Sequence, residues 1–101
     1  MSYQIFVTKD ATQDVESAYE FYEEQQLDLG ERFLDELHAA FEKIKNDNIE
    51  YQKYFGEIQK IKLEVFPYTI YFHKKKEELL IVVGAVLHSK ESFQKLQKRY
   101  K

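Results

Sequence analysis

The side chains of this 101-residue sequence with the best claim to chemistry form a basic and aromatic set in its second half: Lys60, Lys62, Tyr71, His73, His88, Lys90, Arg99 and Tyr100. Lysines bind backbone phosphates and stabilise charge developing on a transferring phosphoryl group, and a tyrosine or histidine can stack on a base or move a proton. Together they suit RNA. A solvated sheet face with snorkelling lysines produces the same inventory, and composition alone favours that simpler account. Other chemistries have less support. With no cysteine, disulfides, zinc-thiolate sites and thiol nucleophiles are excluded by inventory, and a reducing compartment is the default. The sequence has no glycine-rich phosphate loop, paired metal-ligand helix or nucleophile elbow. Of the three histidines, His38, His73 and His88, the last two are expected towards the ends of adjacent strands, close enough to approach one another. Two imidazoles without a third ligand make a poor metal site, so no metal or other cofactor is expected.

The elements that must hold these side chains follow from the periods of the apolar residues. Tyr3, Ile5 and Val7 alternate with Gln4, Phe6 and Thr8, which is a strand with one better-buried face. Asp10 and Gln13 read as a capping box opening a helix to about Gln26, with Ala11, Val15, Ala18 and Tyr22 as its stripe. Asp28 and Glu31 repeat the capping pattern before Phe33, Leu37, Ala40, Phe41 and Ile44, and Asn46, Asp47 and Asn48 stop that second helix. The few residues around Gly30 make the two an antiparallel hairpin.

From Ile58 the period becomes two. Ile61, Leu63 and Val65 are expected on one face of a strand, with Lys60, Lys62 and Glu64 on a wet face. Phe66-Pro67 marks a bend, because proline donates nothing to a ladder and biases its predecessor away from helix. A strand with Tyr68, Ile70 and Phe72 on one face follows, then a charged tip from Lys74 to Glu78. Leu79 to Leu87 is apolar on both faces and reads as a covered central strand, with Gly84 marking a bulge or a close approach. Ser89 is expected to cap a last helix that docks through Phe93, Leu96 and Tyr100. The fold class is α+β: an N-terminal strand, an antiparallel helical hairpin, a three-stranded antiparallel meander and a short C-terminal helix, in a single domain over residues 1–101.

Charge divides along the chain. Residues 1–50 carry 4 basic and 13 acidic side chains and residues 51–101 carry 11 and 5, so a net −3 conceals an acidic helical half and a basic sheet half. Such a division suits two faces with different partners, one of them a polyanion, although helices that favour Glu and sheet edges that favour Lys also produce it. No stretch approaches the ~18 apolar residues of a membrane span and the first residues lack a leader pattern, so a cytoplasmic protein without membrane contact is expected.

The ordered pieces together resemble the RelE/ParE superfamily of bacterial toxins from toxin-antitoxin operons, some of which stabilise plasmids. The residues that carry the resemblance begin with Ala18-Tyr19-Glu20-Phe21-Tyr22-Glu23 and Leu29-Gly30-Glu31-Arg32-Phe33-Leu34. They continue with Ile61-Lys62-Leu63, Phe66-Pro67-Tyr68-Thr69-Ile70-Tyr71 and Val83-Gly84-Ala85-Val86-Leu87-His88, so nearly the whole length takes part. The resemblance implies a cognate antitoxin that holds the toxin inactive. It also implies one of two targets: the ribosome, where one branch of the superfamily cuts messenger RNA as an mRNA interferase, or DNA gyrase, which the other branch inhibits without being a nuclease. A diverged member that binds only its antitoxin is the third alternative. Carried over residue by residue, the nuclease branch implies a catalytic set of Lys60, Lys62, His88, Lys90 and Tyr100. Here Thr69 stands where that branch has an arginine, and Lys90 replaces another.

Overall fold

The computed structural model describes residues 3–46 and 51–100, apart from the side chains of Ser92 and Phe93. Strand β1 (Gln4–Val7) leads into helices α1 (Lys9–Gln25) and α2 (Leu29–Asn46). Strands β2 (Lys53–Phe55), β3 (Ile58–Lys62), β4 (Tyr68–Lys75) and β5 (Leu80–His88) then precede helix α3 (Ser92–Arg99). The five strands form one sheet in the order β1-β5-β4-β3-β2, with β1 parallel to β5 and every other pair antiparallel. The meander expected from the periods is therefore present as β3, β4 and β5. Two features exceed that reading: the short edge strand β2, and the place of β1 at the other edge of the same sheet, parallel to β5. Continuous hydrophobicity of β5 has its cause there, since that strand has a neighbour on each side and a helical layer on each face.

The hairpin α1-α2 covers one face of the sheet. Its core joins Ala11, Ala18, Phe33, Leu37 and Ile44 to Ile70, Phe72, Ile81, Val83 and Val86. Rings of Tyr22, Phe33, Phe66 and Tyr68 meet in this layer with centroids 4.8–6.1 Å apart, mostly edge to face, the arrangement the aromatic quadrupole favours. Those rings come from three of the five segments that carry the resemblance, which are thus largely core. On the opposite face a smaller cluster of Tyr71, Ala85 and Leu87 is covered by Leu96 of α3, with Tyr54, Ile58 and Tyr100 at its margin.

The helix ends lie where the sequence placed them but are held differently. At α1 the cap is Thr8, whose Oγ1 accepts the Ala11 N–H at 3.2 Å, so Asp10 stands in the first turn and is not the cap. Asp28, in the left-handed region with φ 70°, precedes α2, whose Gly30 N–H donates instead to Glu23 Oε1 at 2.9 Å. Gly30 is a close approach: a Cβ there would lie 2.7 Å from Glu23 Cγ and 2.8 Å from the Tyr19 carbonyl oxygen. α2 stops at Asn46, as expected; Asp47 and Asn48 lie outside the described residues.

Three further expectations are corrected. Val65 does not share the buried face of β3, because the strand ends at Lys62; it is 71% exposed in a bend whose Glu64 and Val65 N–H groups donate to the Glu36 carboxylate at 2.6 and 3.0 Å. Lys74 is not at an exposed tip: it belongs to β4 and is buried, with Nζ donating to the Ile44 carbonyl at the end of α2 and standing 4.8 Å from the Tyr3 ring centre. Ser89 does not cap α3, which begins after Glu91; its N–H and Oγ both donate to the Pro67 carbonyl and tie the end of β5 to the bend. The Phe93 side chain lies outside the described residues.

Candidate functional site

Alternation along β3 and β4 decides which side chains share a face. Lys60 pairs with Tyr71, Lys62 with Thr69 and Ile58 with His73, so Lys60, Lys62, Tyr71, His73 and Lys75 lie on the face opposite the helical hairpin. Lys60 is half-buried with its ammonium 5.9 Å from the centre of the Tyr54 ring, and Lys62 is exposed at the open end of β3, where it also borders a shallow groove against Ala39 and Ala40 of α2. The strand therefore keeps the wet face that its lysines required. Thr69 is buried beside Lys62 and adds no charge.

Gly84 is both of the things its place in a strand suggested. Tyr71 pairs with Ala85 and Phe72 with Val83, which leaves Gly84 as the extra residue of a bulge. It is also a close approach, because a Cβ at that position would overlap the Tyr100 hydroxyl. Burial raises the Tyr100 phenol above its ordinary value, against an opposing effect of Arg99, so at neutral pH it is a proton donor and not a base.

Arg99, one of the cations in the basic set, is committed to structure. Its guanidinium grips Asp14 of α1 through Nη1–Oδ2 at 2.6 Å and Nη2–Oδ1 at 2.8 Å, while Nη1 also donates to the Gly84 carbonyl at 3.2 Å. Asp14 Oδ2 in turn accepts the Val86 N–H at 3.0 Å. β1 ends at Val7, so the edge of β5 beyond Val83 has no strand beside it, and this bidentate pair satisfies backbone groups that a longer β1 would have taken. The hydrogen bond to Asp14 is the main reason the Arg99 pKa is raised. Sequence reasoning missed the pair, whose members are 85 residues apart.

His88 and Lys90 belong to the other side of the sheet. The His88 ring packs against Tyr68, centroids 5.3 Å apart, and Nδ1 accepts the Lys90 N–H at 3.1 Å, which leaves the proton of the neutral ring on Nε2. Both residues line a groove of about 390 Å³ with Ser17 and Phe21 of α1. His73 does not approach His88: it pairs with Val82 and His88 pairs with Tyr68, five residues away along β4, roughly 17 Å. The five residues Lys60, Lys62, His88, Lys90 and Tyr100 are therefore not one constellation. Lys60, Lys62 and Tyr100 share the face opposite the hairpin, and His88 and Lys90 lie beside α1. Among the described residues no three His, Cys, Asp or Glu side chains converge as metal ligands, and no helix is long and apolar enough to cross a membrane.

Comparison with known proteins places this architecture. A family model described as the ParE toxin of the type II toxin-antitoxin system, parDE, matches residues 5–93. Among solved structures, the chromosomal ParDE TA system from P. aeruginosa is similar with a TM-score of 0.73 at 12% identity, over 85% of this chain and 95% of that one. The isolated E. coli RelE toxin is similar with a TM-score of 0.54 at 17% identity, over 98% of this chain and 99% of that one. No curated protein matches in sequence. The two structures share the α+β fold described above, and because the family model spans most of the sequence, the chain belongs to the ParE toxin family of type II toxin-antitoxin systems.

Proposed function

We propose that this toxin acts as a ParE-like, protein-directed inhibitor of DNA gyrase and not as a messenger RNA nuclease. The observation that carries the reading is the division of the implied nuclease set across the sheet. Acid-base chemistry on a ribose-phosphate needs a proton acceptor and a charge-stabilising group within hydrogen-bond reach of one scissile phosphate. Lys60 and Lys62 lie on one face, His88 and Lys90 on the other, and Tyr100 is packed against Gly84. Thr69, where an arginine would grip phosphate, is buried and uncharged. The match to the ParE family model over residues 5–93 supports this reading.

The test compares the two targets directly. Purified toxin should inhibit gyrase-driven supercoiling of a relaxed plasmid, and induced cells should arrest with translated messengers intact by primer extension. Cut messengers together with undisturbed supercoiling would overturn the proposal and restore the nuclease reading. Loss of both effects would leave a diverged member whose one function is to bind its antitoxin.

A further inference from the structure

The two edges of the sheet are finished differently. β2 is three residues long, begins with the exposed Lys53 and slips register against β3 between Lys53 and Phe55, features that discourage a further strand from pairing there. β1 has none of them. From Tyr3 to Thr8 there is no charged residue and no proline, and the strand pairs with β5 in unbroken register. The N–H groups of Gln4 and Thr8 donate to the Leu79 and Val83 carbonyls at 3.0 Å, so alternation turns the N–H and C=O groups of Tyr3, Ile5 and Val7 away from the sheet. Among the described residues nothing accepts the Ile5 or Val7 N–H. On the face opposite the hairpin, Phe6 of this strand stands 57% exposed, with the exposed Gln4 two residues before it.

We infer that two copies of this chain pair through β1, antiparallel about a two-fold axis at Ile5, and join their sheets into one with five strands from each copy. In that register the edge is complementary to itself. The two Ile5 residues exchange N–H to C=O bonds across the axis, and each Val7 does the same with Tyr3 of the second copy. Each Phe6 then stands opposite a Gln4, and the two Phe6 rings meet on the diagonal, within reach of aromatic contact. Charge favours the same register. Lys9 lies two residues beyond the pairing of Val7 with Tyr3, at the end where β5 of the second copy begins and where its Glu77 and Glu78 are exposed. Neither Lys9 nor either glutamate makes an ion pair among the described residues. The outer edges of the joined sheet are the two β2 strands, so the assembly closes at two copies and does not grow. One short strand from each copy makes a contact at the low end of specific interfaces, so the dimer is weak and reversible. The inference does not rest on the gyrase reading.

The experiment is sedimentation equilibrium of the purified chain from low to high micromolar concentration, with amide hydrogen exchange over the same range. A monomer-dimer equilibrium is expected, with exchange at Ile5 and Val7 slowing as concentration rises while the amides of β2 do not change. Phe6→Lys alters an exposed side chain, and because the two-fold counts each substitution twice, it should weaken the dimer roughly tenfold. Gln4→Lys combined with Phe6→Lys should leave only monomer. Gln4→Glu combined with Phe6→Lys should restore the dimer, because the register sets each new acid opposite a new lysine. Equal urea midpoints of parent and variants at low concentration separate lost pairing from lost folding. A monomer at every concentration, or a dimer indifferent to the lysine variants, would overturn the inference. A dimer with unchanged exchange at Ile5 and Val7 would overturn it too, since its contact would lie elsewhere. Slowed exchange at these two amides only in the complex with antitoxin would also refute self-pairing and assign the edge to an antitoxin strand.

Discussion

At Gly84 a single methyl group decides whether the C-terminus can dock. A Cβ there would overlap the Tyr100 hydroxyl, so Gly84→Ala should cost about 1–3 kcal/mol through overpacking, measured by urea unfolding. In a Tyr100→Ala background the same substitution should cost much less, because the colliding group is gone, and a double-mutant cycle reads that coupling. Removing the guanidinium of the Arg99–Asp14 fork leaves the Asp14 carboxylate without its cation and the Gly84 carbonyl without its donor, so Arg99→Ala should cost about 3 kcal/mol. Tyrosines should contribute to the stability lost at high pH. Burial raises the phenols of Tyr22, Tyr68 and Tyr100 above the ordinary value, so the folded state holds these protons more tightly than the unfolded chain. Their contribution is complete below about pH 10, the unfolded phenol value, and is lost as pH rises through the folded values. Absorbance titration near 295 nm should show these phenols ionising after the exposed ones, and Tyr68→Phe should remove one late step.

Between elements, stability depends on side chains that stand in for missing backbone partners. Glu36 of α2 accepts two N–H groups of the bend between β3 and β4, and Glu23 of α1 accepts the first free N–H of α2. A carboxylate bonded to N–H groups is stronger than a neutral acceptor, so Glu36→Ala should cost about 1.5–3 kcal/mol and speed amide exchange at Glu64 and Val65. Glu23→Ala should cost about 1 kcal/mol, the ordinary value of a cap. The periods of the sequence located both helices and the strands from β3 to β5 because amphipathic burial is a local property of each segment. They could not identify the caps. Asp10 and Asp28 have the right chemistry at the right places, but Thr8 stands at the actual turn and Glu23 arrives from a neighbouring helix, an alternative that only the packing of the hairpin creates.

For the whole molecule, membership of the ParE family implies a cognate antitoxin, and coexpression should yield one complex on a sizing column at micromolar concentration; separate elution of toxin and antitoxin would contradict that. The Lys60→Ala, Lys62→Ala double variant should fold, since Ile61 and Leu63 remain on the hairpin face, and under the gyrase reading it should still arrest growth; loss of arrest with loss of messenger cleavage would identify the open face as a nuclease surface. The sequence by itself determined the fold class, the order of the elements other than β2 and the wet face of β3, since each rests on the local alternation of apolar and polar side chains. It also showed that Gly84 was special, because a glycine inside an apolar strand has few other reasons to be there. Tertiary structure alone decided three things. It returned β1 to the side of β5, it closed Asp14 on Arg99, and it divided the basic set, with His88 and Lys90 on one face and Lys60, Lys62 and Tyr100 on the other. The first two are contacts between segments far apart in the chain, and for the third the physical reason is register. Period two tells which residues of one strand share a face, but how the faces of β3 and β5 correspond depends on register, and the extra residue at Gly84 shifts that register by one, turning His88 to the face opposite Lys60.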